Sequence, residues 1–164
     1  MKDVILIRGP LGIGKTTISK MLADKHQGRH ISIDEVVDSI EVEFADDGSG
    51  GIPLAKFIKA NEIILPKIRE NIEQSILTII DGNFYHLEQV ENLKQTLPEI
   101  NAVTLKASVE ECIDRDINRP KSYGEGAARA VHSMVSRFDY GEVIEVDGKT
   151  ALEVLGEIER VLNL

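Results

Sequence analysis

The sequence predicts an α/β domain whose sheet is mostly parallel. Short apolar runs alternate with longer stretches of helical periodicity along the chain. A glycine-rich turn joins the first apolar run directly to the first helical stretch. The length of 164 residues suits one compact domain with a real core, residues 1–164, and leaves little room for a second.

Each element follows from local pattern. Residues 4–7 (Val-Ile-Leu-Ile) form the first strand. A helix over about residues 15–26 carries Ile18, Met21 and Leu22 on one face. Residues 30–33 form a short second strand ending at Asp34, with a helix from Glu35. Asp46-Asp47-Gly48-Ser49-Gly50-Gly51 reads as a mobile loop. The amphipathic stretch after it contains Pro66, which predicts a kink or two helices. Residues 77–80 form a third strand, closed by Asp81-Gly82-Asn83. A helix over about 87–97 stops before Pro98, and residues 102–105 form a fourth strand. Ser108-Val109-Glu110-Glu111 has the capping-box form and starts a helix that ends before Pro120. A helix over about 125–138, a fifth strand at 143–146 and a last helix opened by a second capping box, Thr150-Ala151-Leu152-Glu153, complete the chain. There is no internal repeat and no low-complexity tract.

Composition narrows the class. No apolar run is long enough to span a membrane, and the first residues have the wrong flanks for a signal peptide. Cys112 is the only cysteine, so an intrachain disulfide is impossible and a reducing cytoplasmic setting is expected. The four histidines show no metal-ligand spacing, which argues against a structural zinc. The net charge of −9 weighs against long polyanions as main partners, although a local basic cleft still admits a nucleotide or a strand end.

The strongest motif is Gly9-Pro10-Leu11-Gly12-Ile13-Gly14-Lys15-Thr16, which matches G-x-x-x-x-G-K-[ST] at every fixed position and lies between a strand and a helix. Glycines let backbone N–H groups converge on phosphate oxygens, and the helix N-terminus adds its positive dipole end. Gly9, Leu11, Gly12, Ile13, Gly14, Lys15, Thr16 and Thr17 are therefore expected to hold ATP. Lys15 reaches the β and γ phosphates, Thr16 ligates Mg²⁺ and Thr17 contacts the α-phosphate in this reading.

A phosphate loop names the ligand, not the reaction. A guanine-reading Asn-Lys-x-Asp motif is missing, which argues against a GTPase switch, and a Leu-Ser-Gly-Gly signature is missing too, which argues against a transport ATPase. Arg115 and Arg119 stand four residues apart, on one face of a helix just before a Pro-broken loop, a pattern suited to a basic lid over phosphates. A solvated basic helix end has the same pattern.

Residues 9–17, Ile33-Asp34, Ile80-Asp81-Gly82-Asn83 and the run from Cys112 to Arg119 together resemble the polynucleotide-kinase, zeta-toxin and chloramphenicol-phosphotransferase branch of small P-loop kinases. Gluconate, shikimate and adenylate kinases are more distant relatives of that branch. The resemblance implies a three-layer fold: a five-stranded parallel sheet in the order 2-3-1-4-5, with helices on both faces and the active site at the carboxyl ends of the strands. It implies that Asp34 is the base for the acceptor hydroxyl, that Asp81 supports Mg²⁺, and that Arg115 and Arg119 contact phosphate or stack on adenine. Each acid has a plainer alternative: Asp34 as a helix N-cap, Asp81 as a turn residue.

The expected activity is transfer of the ATP γ-phosphate to a hydroxyl acceptor, with residues 35–73 shaping the acceptor site and 115–126 the lid. A nucleotide-binding regulator and a nucleic-acid 5′-hydroxyl kinase are the alternatives. Asn83, Phe84, Tyr85 and His86 are candidates for the acceptor wall, Arg129 for a phosphate contact and Asp147-Gly148-Lys149 for an adenine loop or plain turn. Cys112 reads as inert core.

Overall fold

A computed structural model describes residues 3–97 and 99–164. Pro98, the expected stop of a helix, and the first two residues lie outside the described residues. Five strands, β1 (Val4–Arg8), β2 (Arg29–Ser32), β3 (Thr78–Gly82), β4 (Asn101–Lys106) and β5 (Glu142–Glu145), form one sheet in the order β2-β3-β1-β4-β5. All four pairings are parallel. The order is the one the family resemblance implied.

Strand periodicity divides the core into two. Val4 and Leu6 of β1 face one side, while Ile5 and Ile7 face the other. The first side packs against α2 (Ile33–Ser39), α3 (Leu54–Glu73), α4 (Leu87–Thr96) and α6 (Glu125–Val135) through side chains such as Val37, Phe57, Ile64, Leu93 and Met134. The second packs against α1 (Lys15–Lys25), α5 (Val109–Ile117) and α7 (Ala151–Leu162) through Ile18, Leu22, Cys112, Val154 and Ile158. With both faces covered, the central strand is buried throughout, as an apolar parallel strand must be.

Several expectations change in detail. Of the kink or two helices expected around Pro66, two helices do not form: Pro66 lies inside one helix, α3. Helix α6 ends at Val135, three residues earlier than the periodicity suggested. Thr150 and Glu153 form the full capping box. At Ser108 only half forms: the hydroxyl accepts the Glu111 N–H, while the Glu111 carboxylate turns to Arg115. No helix of the described residues is long and apolar enough to cross a membrane.

One buried cation ties these layers together. Arg8, at the end of β1, is fully buried. Its guanidinium donates to the carbonyls of Phe84 (3.3 Å), Phe138 (2.7 Å) and Val135 (2.9 Å) and to Thr104 Oγ1 (3.2 Å), and lies 4.2 Å from the Phe138 ring centre. Burial lowers its pKa to about 10, against the opposing field of Asp139, so it stays charged at neutral pH. Arg8 thus links the strand before the phosphate loop to the C-terminal end of α6, whose free carbonyls need donors. Its bond to Phe84 also supports a residue with φ of 45°, a left-handed conformation that a bulky side chain rarely adopts.

Candidate active site

The turn after β1 begins the site. Gly12 and Gly14 have φ of 83° and 92°, which favour glycine. Gly14 is the N-cap of α1, so the first N–H groups of that helix open toward the loop. Gly12 also has no room for a side chain: a Cβ there would fall on the Cys112 carbonyl oxygen of α5, as its backbone packs against that helix. Gly12→Ala is therefore expected to lose nucleotide affinity at least about tenfold and to lower the melting temperature, read by analogue titration and thermal melts.

A cavity of about 600 Å³ opens from this loop beyond the carboxyl ends of the strands. Leu11, Gly12, Gly14, Lys15, Thr16 and Thr17 line it, as do Asp34, Arg115 and Arg119. Gly9 and Ile13, expected beside them, do not: Gly9 packs against Leu105, and the Ile13 side chain is in the core. Asp81 is fully buried behind the cavity rather than on its wall.

Lys15 points inward. Its Nζ lies 2.9 Å from Asn83 Oδ1, 3.4 Å from the Pro10 carbonyl and 3.9 Å from Asp34 Oδ2. Asp34 accepts the Asn83 N–H with both carboxylate oxygens, at 3.2 and 3.1 Å. Burial raises its pKa, and Lys15 and that N–H oppose the rise. The N-cap of α2 is Ser32, whose hydroxyl accepts the Glu35 N–H, so Asp34 does not serve as that cap. The helix instead fixes Asp34 in its first turn, facing the cavity.

Thr16 Oγ1 lies 3.4 Å from Asp81 Oδ1, and the other oxygen of Asp81 is 2.6 Å from His30 Nε2. A hydroxyl beside a carboxylate supplies the hard oxygen donors that suit Mg²⁺, an ion that keeps most of its waters. No cluster of three or more His, Cys, Asp or Glu able to hold a metal occurs among the described residues. A metal here would depend on phosphate and water oxygens for its remaining ligands. His30 was not foreseen, because its place beside Asp81 depends on the pairing of β2 with β3.

The two arginines expected in a lid do not share a helix face. Arg115 belongs to α5, donates to the Ile13 carbonyl at 3.0 Å and pairs with Glu111. Arg119 lies beyond the C-cap Asn118, in the irregular segment 118–124. Buried Asp116 organises that segment: one oxygen accepts Ser122 Oγ and the N–H groups of Tyr123 and Gly124. Its other oxygen is 3.6 Å from Arg119 Nη1, close enough for an ion pair but too far for a hydrogen bond. Arg119 also lies 5.6 Å from the Tyr123 ring centre, and its side chain is 44% exposed on the cavity wall.

The far wall combines three segments. Ile52 and Phe57 come from the chain around the start of α3, Tyr85 follows β3, and Ala127, Ala130, Val131 and Met134 form a stripe along α6. The Tyr85 hydroxyl accepts the Ile52 N–H at 2.8 Å, and its ring packs edge-on to Phe57 at 5.2 Å. Of the four residues after β3, Asn83 and Tyr85 line the cavity, whereas Phe84 is buried in the core and His86 bonds the Ile52 carbonyl. Arg129 pairs with Glu125 at the surface. The Asp147 carboxylate accepts the Ser108 N–H and joins the end of β5 to the start of α5. The Cys112 thiol is buried, with its pKa raised to about 11 by desolvation, and is unreactive.

A parallel sheet in this order with a phosphate loop, an inward lysine and arginines lining the cavity defines a small P-loop kinase, a phosphotransferase. Comparison with known proteins agrees: a family model described as "AAA domain" (AAA_33) matches residues 4–140, and the chain belongs to that family. An adenylate kinase from Nitratiruptor sp. is 30% identical over 97% of this chain and 81% of its own length. A shikimate kinase from Azobacteroides pseudotrichonymphae is 31% identical over 72% of this chain and 67% of its own length. Among solved structures, a sugar kinase from Janibacter sp. superposes with a TM-score of 0.77 at 15% identity, covering 99% of this chain and 95% of that one. That likeness is one of fold.

Proposed function

We propose that the chain is an ATP- and Mg²⁺-dependent kinase that transfers the γ-phosphate to a hydroxyl of a small-molecule or nucleotide acceptor. The observation that carries this reading is the meeting of Lys15 and Asp34 at one end of a single cavity, 3.9 Å apart. In-line transfer needs a cation for the transferred phosphate and a carboxylate for the acceptor proton in one site.

In this reading Lys15 and the N–H groups of residues 11–17 hold the β and γ phosphates. Asp34 orients the acceptor hydroxyl and takes its proton. Thr16 and, through water, Asp81 would hold Mg²⁺, which neutralises charge on the phosphate oxygens when bound. Arg115 and Arg119 belong to a lid over residues 115–126 that excludes water, and residues 35–73 shape the acceptor side. The role of Asp34 follows the polynucleotide-kinase-like branch that the sequence resembles. A cytoplasmic setting belongs to the same reading, supported by a single, buried cysteine.

The test is transfer of labelled γ-phosphate from ATP, with and without Mg²⁺, to nucleosides, oligonucleotide ends, sugars and other alcohols. Acceptor-dependent consumption of ATP is expected. Consumption that no acceptor raises would point to a slow NTPase and end this reading.

A further inference from the structure

The chemistry of the acceptor can be narrowed, on the premise that the kinase reading above holds. We infer that the acceptor is a cationic alcohol: an apolar body that carries an amine, with no phosphate or carboxylate. The inference rests on how charge is distributed around the cavity.

The cations lining the cavity, Lys15, Arg115 and Arg119, all belong to the phosphate end. Lys15 and Arg115 are engaged there, by Asn83 and Pro10 and by Ile13 and Glu111. The acceptor side contributes no Lys or Arg among the described residues. It contributes carboxylates instead: Glu35 and Asp38 stand beside Asp34 on α2, with Asp38 one helical turn on from Asp34. Glu35 and Asp38 are exposed to the cavity mouth, and neither has an ion-pair partner among the described residues.

The flanking chain strengthens this bias. Between residues 34 and 55 there are seven acidic residues and no Lys or Arg. An adenylate or another anionic acceptor would enter against this field with no cation on the acceptor side to receive its charge. Acceptors that carry phosphate or carboxylate are held by arginine or lysine. An ammonium group is drawn to the same field.

The apolar part of the wall fits the rest of such a molecule. Phe57, Ile52 and Tyr85, together with Val131 and Met134 of α6, form the apolar wall of the cavity. A hydroxyl at Asp34, an apolar ring against Phe57 and an amine toward Asp38 satisfy the three surfaces together.

The experiment uses the full chain with ATP and Mg²⁺ and three sets of alcohols, built on phenyl, cyclohexyl and bicyclic bodies. Each set has an ammonium, an uncharged and a carboxylate member, for instance 2-amino-1-phenylethanol, 1-phenylethane-1,2-diol and mandelate. Adenylate and a 5′-hydroxyl oligonucleotide are run beside them. In at least one set the ammonium member is expected to exceed its uncharged partner about tenfold in kcat/KM, with the carboxylate member lowest. Raising the salt concentration should shrink the preference, because Glu35 and Asp38 are exposed. The double variant Glu35→Gln with Asp38→Asn should reduce it to within about threefold, with titration of an ATP analogue as the control for an intact site. Preference for the uncharged or carboxylate member, or no ammonium preference in any set, overturns the inference. Faster transfer to adenylate or the oligonucleotide also overturns it but leaves the kinase reading standing, whereas failure to bind the ATP analogue removes the kinase reading itself.

Discussion

Lys15→Ala is expected to lower phosphate transfer by roughly a thousandfold, the scale for removing a preorganised charge from a transition state. Its Nζ is held inside the cavity by Asn83 and the Pro10 carbonyl rather than free in solvent. The lysine therefore pays little ordering cost when phosphate arrives. The variant should stay folded, because a cation lost from a cleft leaves no packing void comparable to a lost core side chain. Melting curves check the fold, and single-turnover transfer checks the chemistry. A second consequence has a definite sign. Lys15 lowers the pKa of Asp34, so without it that pKa rises further. The acid limb of any residual activity should move to higher pH. A folded Lys15→Ala protein that transfers at the normal rate would remove the phosphate loop from the mechanism.

The phosphate end of the site was legible because its chemistry is local. Backbone conformation, glycine spacing, lysine and threonine all fall within residues 9–17. Strand order was legible only through family resemblance, since periodicity fixes faces but not neighbours. The acceptor wall was not legible. Ala127, Ala130, Val131 and Met134 have ordinary helical spacing, which looks the same whether the stripe meets a core or a cavity. Arg8 gave no local signal either. Its partners Phe84, Thr104, Val135 and Phe138 are distant in sequence and meet it only in the folded chain. One missed signal was available: Ser32-Ile33-Asp34-Glu35 has the same Ser-x-x-Glu form as residues 108–111. It places the cap at Ser32 and so frees Asp34 from that role, as the geometry of α2 bears out.

Freed from capping, Asp34 becomes the second residue whose loss has a large expected effect. Asp34→Asn should cut transfer by at least about a hundredfold, the usual scale for a general base. Affinity for an ATP analogue should not fall, because Asp34→Asn removes a negative charge 3.9 Å from Lys15 and leaves the phosphate loop itself unchanged. The amide keeps an oxygen to accept the Asn83 N–H, so geometry is preserved and only the proton acceptor is lost. The pH dependence separates this role from a structural one. Burial holds the Asp34 pKa above the ordinary 3.8, against Lys15 and the Asn83 N–H. In the wild type kcat/KM should fall as pH drops through that raised value, and the Asn variant should lack this limb. Linkage gives stability the opposite sign. A carboxyl with a raised folded pKa contributes its stability below 3.8 and loses it as pH rises through the folded value. Once ionised, Asp34 is therefore a strain on the fold, and above its folded pKa Asp34→Asn should melt no lower than the wild type. A residue whose removal spares stability and nucleotide binding yet costs a hundredfold in transfer is retained for chemistry. Transfer by the Asn variant at the wild-type rate, with the acid limb intact, would assign the base to another group.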